Sequence, residues 1–172
     1  MLSGNLVLPL EDEPRYFAVF AHCFTCSKNF KAVSNISDTL SQSGVAVLSF
    51  DFTGLGNSEG EFEETGFSSN VSDLISAADF LEKNYESPKL LIGHSLGGAA
   101  VIFAAEKLEN VKAVVTIGSP SEPKHVKHLF EADIDTIKSE GRAKVNIGGR
   151  PFHISRNFME DLESKNLTEV LS

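Results

Sequence analysis

The sequence is poor in cysteine, in positive charge and in long apolar runs, and each shortage excludes a class of protein. Two cysteines among 172 residues are too few for a disulfide framework, which fits a reducing compartment. Lys and Arg number 15 against 24 Asp and Glu, so no basic surface for nucleic acid is expected. The longest uninterrupted apolar run, residues 99–105, is far shorter than the roughly 20 residues of a membrane helix. We therefore predict a cytoplasmic protein that binds neither nucleic acid nor membrane.

Apolar runs of strand length alternate with amphipathic segments along the first two thirds of the chain. The runs lie at residues 16–21, at 45–50, from residue 90 to the motif described next, and at 111–117, after a shorter edge strand at 2–8. The helical segments lie at 28–43, at 70–86 with Asn70 as the expected N-cap, and at 96–109. This alternation predicts an α/β fold in one domain, with a mostly parallel sheet and helices on both faces.

The most informative motif is G-x-S-x-G at residues 93–97, between a predicted strand and a predicted helix. A tight turn there forces Ser95 into a strained backbone conformation, with its hydroxyl above the sheet. Gly93 and Gly97 allow the strand and the helix to approach closely. The helix directs its positive end at the position of a developing oxyanion, so the amide of Leu96 is a candidate donor. The pattern predicts a catalytic nucleophile at Ser95, and an ordinary Gly-rich turn is the alternative.

The sequence offers no clear base or acid for Ser95. His94, inside the motif, is expected to point away and pack locally. His22 is expected to fix the geometry of a nearby loop, with a direct catalytic role as the less favoured alternative. The remaining histidines are His125, His128 and His153, in exposed or unpartnered settings. Glu122 is a weak candidate for the acid, because a glutamate in such a loop is usually solvated.

Residues 23–26 read C-F-T-C, a spacing that is typical of thiol redox sites when one thiolate is stabilised. The alternative is that Cys23 and Cys26 only shape their loop. Together with His22 they are too few for a structural zinc site, which needs four ligands. The Gly-rich loop at 51–60 lacks the spacing and the following helix of a dinucleotide site. We therefore predict no metal and no cofactor.

The pattern changes after Pro120. A single amphipathic helix is predicted there from apolar residues spaced between 126 and 137, followed by a hairpin at 145–154 and a short helix at 157–164. We predict that residues 1–120 form the core and that residues 121–172 form a lid or cap segment of the same domain. A plain peripheral helix and hairpin is the alternative.

Six segments together resemble the α/β-hydrolase fold family, and in particular the hydrolase half of proteins that join such a domain to an OsmC (osmotically inducible protein C) domain. They are A-H-C-F-T-C-S-K at 21–28, D-F-T-G-L-G-N-S-E-G at 51–60, F-S-S-N-V-S-D-L at 67–74, L-I-G-H-S-L-G-G-A-A at 91–100, V-V-T-I-G-S-P at 114–120 and G-R-P-F at 149–152. The resemblance implies that the loop after the strand at 16–21 supplies a second oxyanion amide, which we assign to Phe24. Cys23 stands where many hydrolases have glycine. An OsmC-type domain is implied as a fused or neighbouring partner.

The resemblance also implies that an acid and a histidine follow Ser95 in the chain, on loops after later strands. No such strand pattern follows residue 154, and Met1 leads directly to the first strand. We therefore expect the triad acid and base to lie outside this chain, and the fold to be incomplete at its C-terminal end.

The sequence thus predicts a serine hydrolase that acts on a small ester, thioester or peptide-like acyl substrate. Ser95 would attack the carbonyl, and the amides of Phe24 and Leu96 would hold the oxyanion. Two alternatives remain open at this point. One is a truncated, non-catalytic hydrolase-fold module, and the other is a thiol redox module that uses Cys23 and Cys26.

Overall fold

In the computed structural model, which describes residues 1–10 and 13–171, five strands form one sheet in the order β1-β3-β2-β4-β5. They are β1 (Gly4–Val7), β2 (Tyr16–Ala21), β3 (Val45–Phe50), β4 (Leu90–His94) and β5 (Ala113–Ile117). β1 runs antiparallel to β3, and the other neighbouring pairs are parallel. The predicted mostly parallel sheet is therefore confirmed.

Helices cover both faces of this sheet, as predicted. They are α1 (Lys31–Gln42), α2 (Phe67–Asn84) and α3 (Leu96–Ala105). Alternate residues of β2 separate the two faces, because Ala18 and Phe20 share a core cluster with Val33 of α1. The other core residues of β2 belong to the main cluster with residues of α2 and α3, and they are Phe17, Val19 and Ala21.

All three helices have boundaries that differ from the predicted ones, and α1 begins three residues later than predicted. α2 begins at Phe67, so Asn70 lies inside the helix and is not its N-cap. The first turn is instead capped from a distance, since Asp161 accepts hydrogen bonds from the amide and the hydroxyl of Ser68, both at 2.7 Å. A carboxylate at this end also suits the helix dipole. α3 ends at Ala105, four residues earlier than predicted.

The chain after β5 folds back onto the core. It comprises 3-10 turns over Pro123–Asp133, α4 (Ile134–Glu140), the hairpin of β6 (Arg142–Ile147) and β7 (Arg150–Ser155), α5 (Arg156–Glu163) and α6 (Leu167–Val170). The single helix predicted across residues 126–137 is broken, because Phe130 has non-helical dihedrals. Its buried residues Val126, Phe130 and Ile137 belong to the main core cluster. In the described part of the chain, no helix has the length and apolarity needed to cross a membrane.

Candidate active site

Ser95 occupies the sharp turn between β4 and α3. Its backbone has φ 54° and ψ −124°, and only Thr25 among the other described non-glycine residues also has a positive φ. Such a conformation is costly for an L-residue with a side chain, and it persists where the surroundings enforce it. The Ser95 amide donates a hydrogen bond of 2.9 Å to the carbonyl of Ile117, at the end of β5. The turn therefore has the backbone strain that the motif predicts.

The glycines of the motif permit close contacts between backbones. A Cβ atom on Gly93 would lie 2.3 Å from the carbonyl oxygen of Gly97. A Cβ atom on Gly97 would lie 2.4 Å from the carbonyl oxygen of His22. The N-terminus of α3 is thus in direct contact with β4 on one side and with the loop after β2 on the other.

This contact brings Phe24, on the loop after β2, close to Leu96, the first residue of α3. Phe24 and Leu96 line a single small cavity of about 10 Å³, with His22 and Gly97 in the same lining. No hydrogen bond among the described residues uses the amide of Phe24 or of Leu96 as donor. For Leu96 this is expected, since the first amides of a helix have no partner within it.

His22 is buried, and both of its ring nitrogens have partners. Nδ1 lies 2.8 Å from the carbonyl oxygen of Cys23, and Nε2 lies 3.4 Å from the amide of Phe52. The amide of Phe52 is a donor, so Nε2 accepts and Nδ1 donates, as in a neutral imidazole. Burial lowers the pKa of His22, and the hydrogen bond to Cys23 and the nearby Asp51 carboxylate offset only part of this effect. The ring therefore holds two loops together, and neither of its nitrogens is hydrogen-bonded to Ser95.

The lowered pKa of His22 predicts a stability loss in weak acid. Below about pH 6.5, His22 is protonated more readily in the unfolded chain than in the folded protein. The free energy of unfolding therefore falls as the pH falls. We expect urea denaturation between pH 7.5 and 5.5 to show this slope in the wild type and in the exposed control His125→Asn. The slope should be weaker in His22→Asn, and an equal slope in all three proteins would contradict the assignment.

A buried ion pair that the sequence analysis missed supports the same loops. Asp51, which directly follows β3, accepts hydrogen bonds from the amide of Lys28 at 2.6 Å, from its ammonium at 2.5 Å, and from the amide of Asn57 at 2.9 Å. Burial alone would raise the pKa of Asp51, but these three hydrogen bonds together outweigh it and lower the pKa. The Gly-rich loop needs glycine at position 56, because a Cβ atom there would lie 2.2 Å from a carboxylate oxygen of Asp51.

The other candidates for the triad base and acid contact residues other than Ser95. The ring of His94 stacks on that of Phe30, with centroids 6.2 Å apart. Glu122 accepts a hydrogen bond of 3.1 Å from the amide of Leu167. The remaining contacts join His125 to Ser121, His128 to the backbone of His125, and His153 to Glu63. Within the described residues, no histidine or carboxylate is hydrogen-bonded to Ser95.

The two cysteines form one local disulfide, Cys23–Cys26, and the described residues contain no free cysteine. A turn brings them together, since the amide of Cys26 donates to the carbonyl of Cys23 at 3.0 Å. The sequence predicts no disulfide framework, and the structure nevertheless joins both cysteines in a disulfide that closes a four-residue loop. No group of three or more side chains suited to a metal ion occurs in the ranges that the structure describes.

Residues from beyond β5 contact the loop that carries Phe24. The Phe24 ring lies 5.4 Å from that of Phe158 in α5, measured between centroids. The guanidinium of Arg150, at the start of β7, donates a hydrogen bond to the carbonyl of Thr25. The segment predicted as a lid is therefore in direct contact with the candidate site.

A mostly parallel sheet with a strained serine between a strand and a helix defines the α/β-hydrolase class. The chain belongs to the family described as "Serine aminopeptidase, S33", whose model matches residues 12–147.

Three relatives are similar to this chain in structure or in sequence. The esterase domain of a Rhodothermus marinus protein is 43% identical, with a TM-score of 0.70, and the match covers 99% of this chain and 71% of that one. Est1E from Butyrivibrio proteoclasticus, with ferulic acid bound, shares the fold at 21% identity, with a TM-score of 0.80 and coverage of 99% and 70%. The mitochondrial palmitoyl-protein thioesterase ABHD10 of Rattus norvegicus is 30% identical over 105 residues, which are 60% of this chain and 34% of that protein. The chain thus spans about a third of that curated relative.

Proposed function

We propose that this chain carries the nucleophile and the oxyanion site of a serine hydrolase that acts on a small ester, thioester or peptide-like acyl substrate. Ser95 Oγ attacks the acyl carbonyl, and the amides of Phe24 and Leu96 stabilise the negative charge on its oxygen. The leaving group departs with a proton, and water then cleaves the acyl-enzyme. The observation that carries the proposal is the strained Ser95 at the start of α3, and it is supported by the amides of Phe24 and Leu96, neither of which donates a hydrogen bond to any described residue.

The acyl class follows from the chemistry of the site and from the relatives. An ester is favoured by the 43% identical esterase domain. A thioester agrees with the name of the rat thioesterase, and a peptide-like substrate with the description of the family. All three share a carbonyl whose oxygen becomes an anion during attack, which is the charge that two backbone amides stabilise.

The triad base and acid are proposed to come from residues outside 1–172. His22 is neutral with both nitrogens occupied, and the other described histidines contact other residues. β5 offers a place for further strands, since it lies at the sheet edge and Val114, Val115 and Ile117 are exposed. Strands inside a parallel sheet are normally buried on both faces. A strand added beside β5 would carry its loop to the same edge of the sheet as Ser95.

The proposal also includes a lid, a cytoplasmic location and a partner domain. Residues 121–172 would act as a lid, which is supported by the contacts of Phe158 and Arg150 with the loop of Phe24. A cytoplasmic location is supported by composition alone. A fused or neighbouring OsmC-type domain is supported only by the resemblance of the sequence.

The test compares hydrolysis of p-nitrophenyl acetate by the natural polypeptide at full length and by residues 1–172 alone. We expect the full-length polypeptide to be active and the isolated chain to be slower by a factor of about 10⁶, because its serine lacks a base. Equal rates would place the base within residues 1–172. A folded full-length polypeptide with no activity on oxygen esters, thioesters or aminoacyl anilides would favour the non-catalytic module.

A further inference from the structure

The Cys23–Cys26 disulfide encloses Phe24, the residue proposed as an oxyanion donor. We propose that this disulfide is a reversible redox site whose reduction releases the loop and lowers hydrolase activity. The effect on activity rests on the proposed function of Phe24, whereas the thiol chemistry does not.

The disulfide holds the loop in a conformation that it would not adopt alone. Thr25, between the cysteines, has φ 61° and is buried. A threonine in the left-handed region is unfavourable, since its branched side chain crowds the backbone. The disulfide closes the ring of residues around this position. Without it, Thr25 is free to return to an ordinary conformation, which turns the adjoining peptide that carries Phe24.

The disulfide loop contacts residues from several other parts of the chain. The ring of His22 contacts the carbonyl of Cys23 at 2.8 Å, and Arg150 contacts the carbonyl of Thr25. The Phe24 ring packs on Phe158. A change of the loop therefore alters both the oxyanion donor and the contacts of the proposed lid.

The disulfide is also accessible to a small thiol. Both cysteines are half-buried, so a small thiol can reach them. Arg150 places its guanidinium at the carbonyl of Thr25, between the two cysteines. Where cytosolic disulfides occur, they are usually transient or redox-sensing. The predicted reducing compartment and the observed disulfide are consistent with each other if the bond is reversible.

The reaction is thiol–disulfide exchange with a low-molecular-weight thiol such as glutathione. The thiolate attacks one sulfur, the Cys23–Cys26 bond breaks, and the other cysteine leaves as a thiolate that takes up a proton. A second thiol attacks the mixed disulfide, which frees the remaining cysteine and releases the small disulfide. Two small thiols supply the two electrons, and the oxidised small disulfide reverses both steps.

The experiment equilibrates the full-length polypeptide in buffers of varied reduced and oxidised glutathione. Alkylation with intact-mass detection gives the reduced fraction, amide hydrogen exchange reports the mobility of residues 22–28, and labelling by a fluorophosphonate reports the reactivity of Ser95. We expect a reversible transition, faster exchange in the loop and labelling slower by about tenfold, since a displaced donor costs less than the loss of about 10²–10³ for a deleted one. Ser27→Ala should behave like the wild type. The double variant Cys23→Ser/Cys26→Ser should match the reduced protein in every buffer.

Each result decides a different part. A disulfide that resists reduction until the protein unfolds, or reduction with unchanged exchange in the loop, would overturn the inference. Equal labelling of both forms would overturn the regulatory effect while leaving the redox site. Reversible thiols and altered exchange without labelling in either form would mean that the proposed hydrolase function fails and that the redox site stands.

Discussion

Ser95→Ala is expected to lower kcat/KM for p-nitrophenyl acetate by a factor of about 10⁶ in the full-length polypeptide. The hydroxyl is the only group at the turn that the proposal gives a covalent role, and removal of a triad nucleophile leaves only the catalysis from binding and from the oxyanion site. Alanine keeps the Cβ atom, so the backbone of the turn should stay folded. Stopped assays of p-nitrophenol release over a range of ester concentrations measure the effect.

The matched control is Ser76→Ala, which removes an exposed hydroxyl on α2. It should keep wild-type activity, and both variants should unfold at similar urea concentrations. A Ser95→Ala protein that keeps more than a tenth of the wild-type rate would refute the assignment of Ser95.

Asp51→Ala is expected to lower the free energy of unfolding by about 3–5 kcal/mol, which is the usual cost of removing one partner from a buried ion pair. The variant leaves the ammonium of Lys28, itself buried, without its counter-ion at 2.5 Å. It also leaves the amides of Lys28 and Asn57 without an acceptor. Urea denaturation at pH 7 measures the loss directly.

Asp38→Ala removes an exposed carboxylate on α1 and serves as the control for Asp51→Ala. We expect it to change stability by no more than about 0.5 kcal/mol. Asp51→Asn should fall between the two, because the amide oxygen still accepts hydrogen bonds but the negative charge is lost. An Asp51→Ala variant as stable as the control would mean that water replaces the carboxylate at little cost.

The elements that the sequence predicts well are those set by short-range pattern. β2 and β3 match their predicted bounds to the residue, since each is a mostly apolar run of strand length between breaks in the pattern. The strained turn at Ser95 is likewise contained in five consecutive residues. The local pattern is sufficient for such strands, because the apolar residues that identify a strand in the sequence are the same residues that it buries in the sheet.

The features that sequence reasoning missed depend on contacts between distant residues. The first turn of α2 is capped in part by Asp161, 93 positions after Ser68. The pair of Asp51 and Lys28 spans 23 positions, although the place of Asp51 at the end of a buried strand was a usable signal. Phe24 and Leu96 both line one small cavity in the structure, and their role as oxyanion donors stays a prediction.

The central claim is that Ser95 is an activated nucleophile. The most direct measurement treats the full-length polypeptide with a fluorophosphonate and maps the modified residue by peptide mass spectrometry. The account predicts one adduct per chain, on Ser95, that is absent from Ser95→Ala and present in Ser76→Ala. An adduct on another residue, or no adduct on a polypeptide that hydrolyses esters, would contradict it.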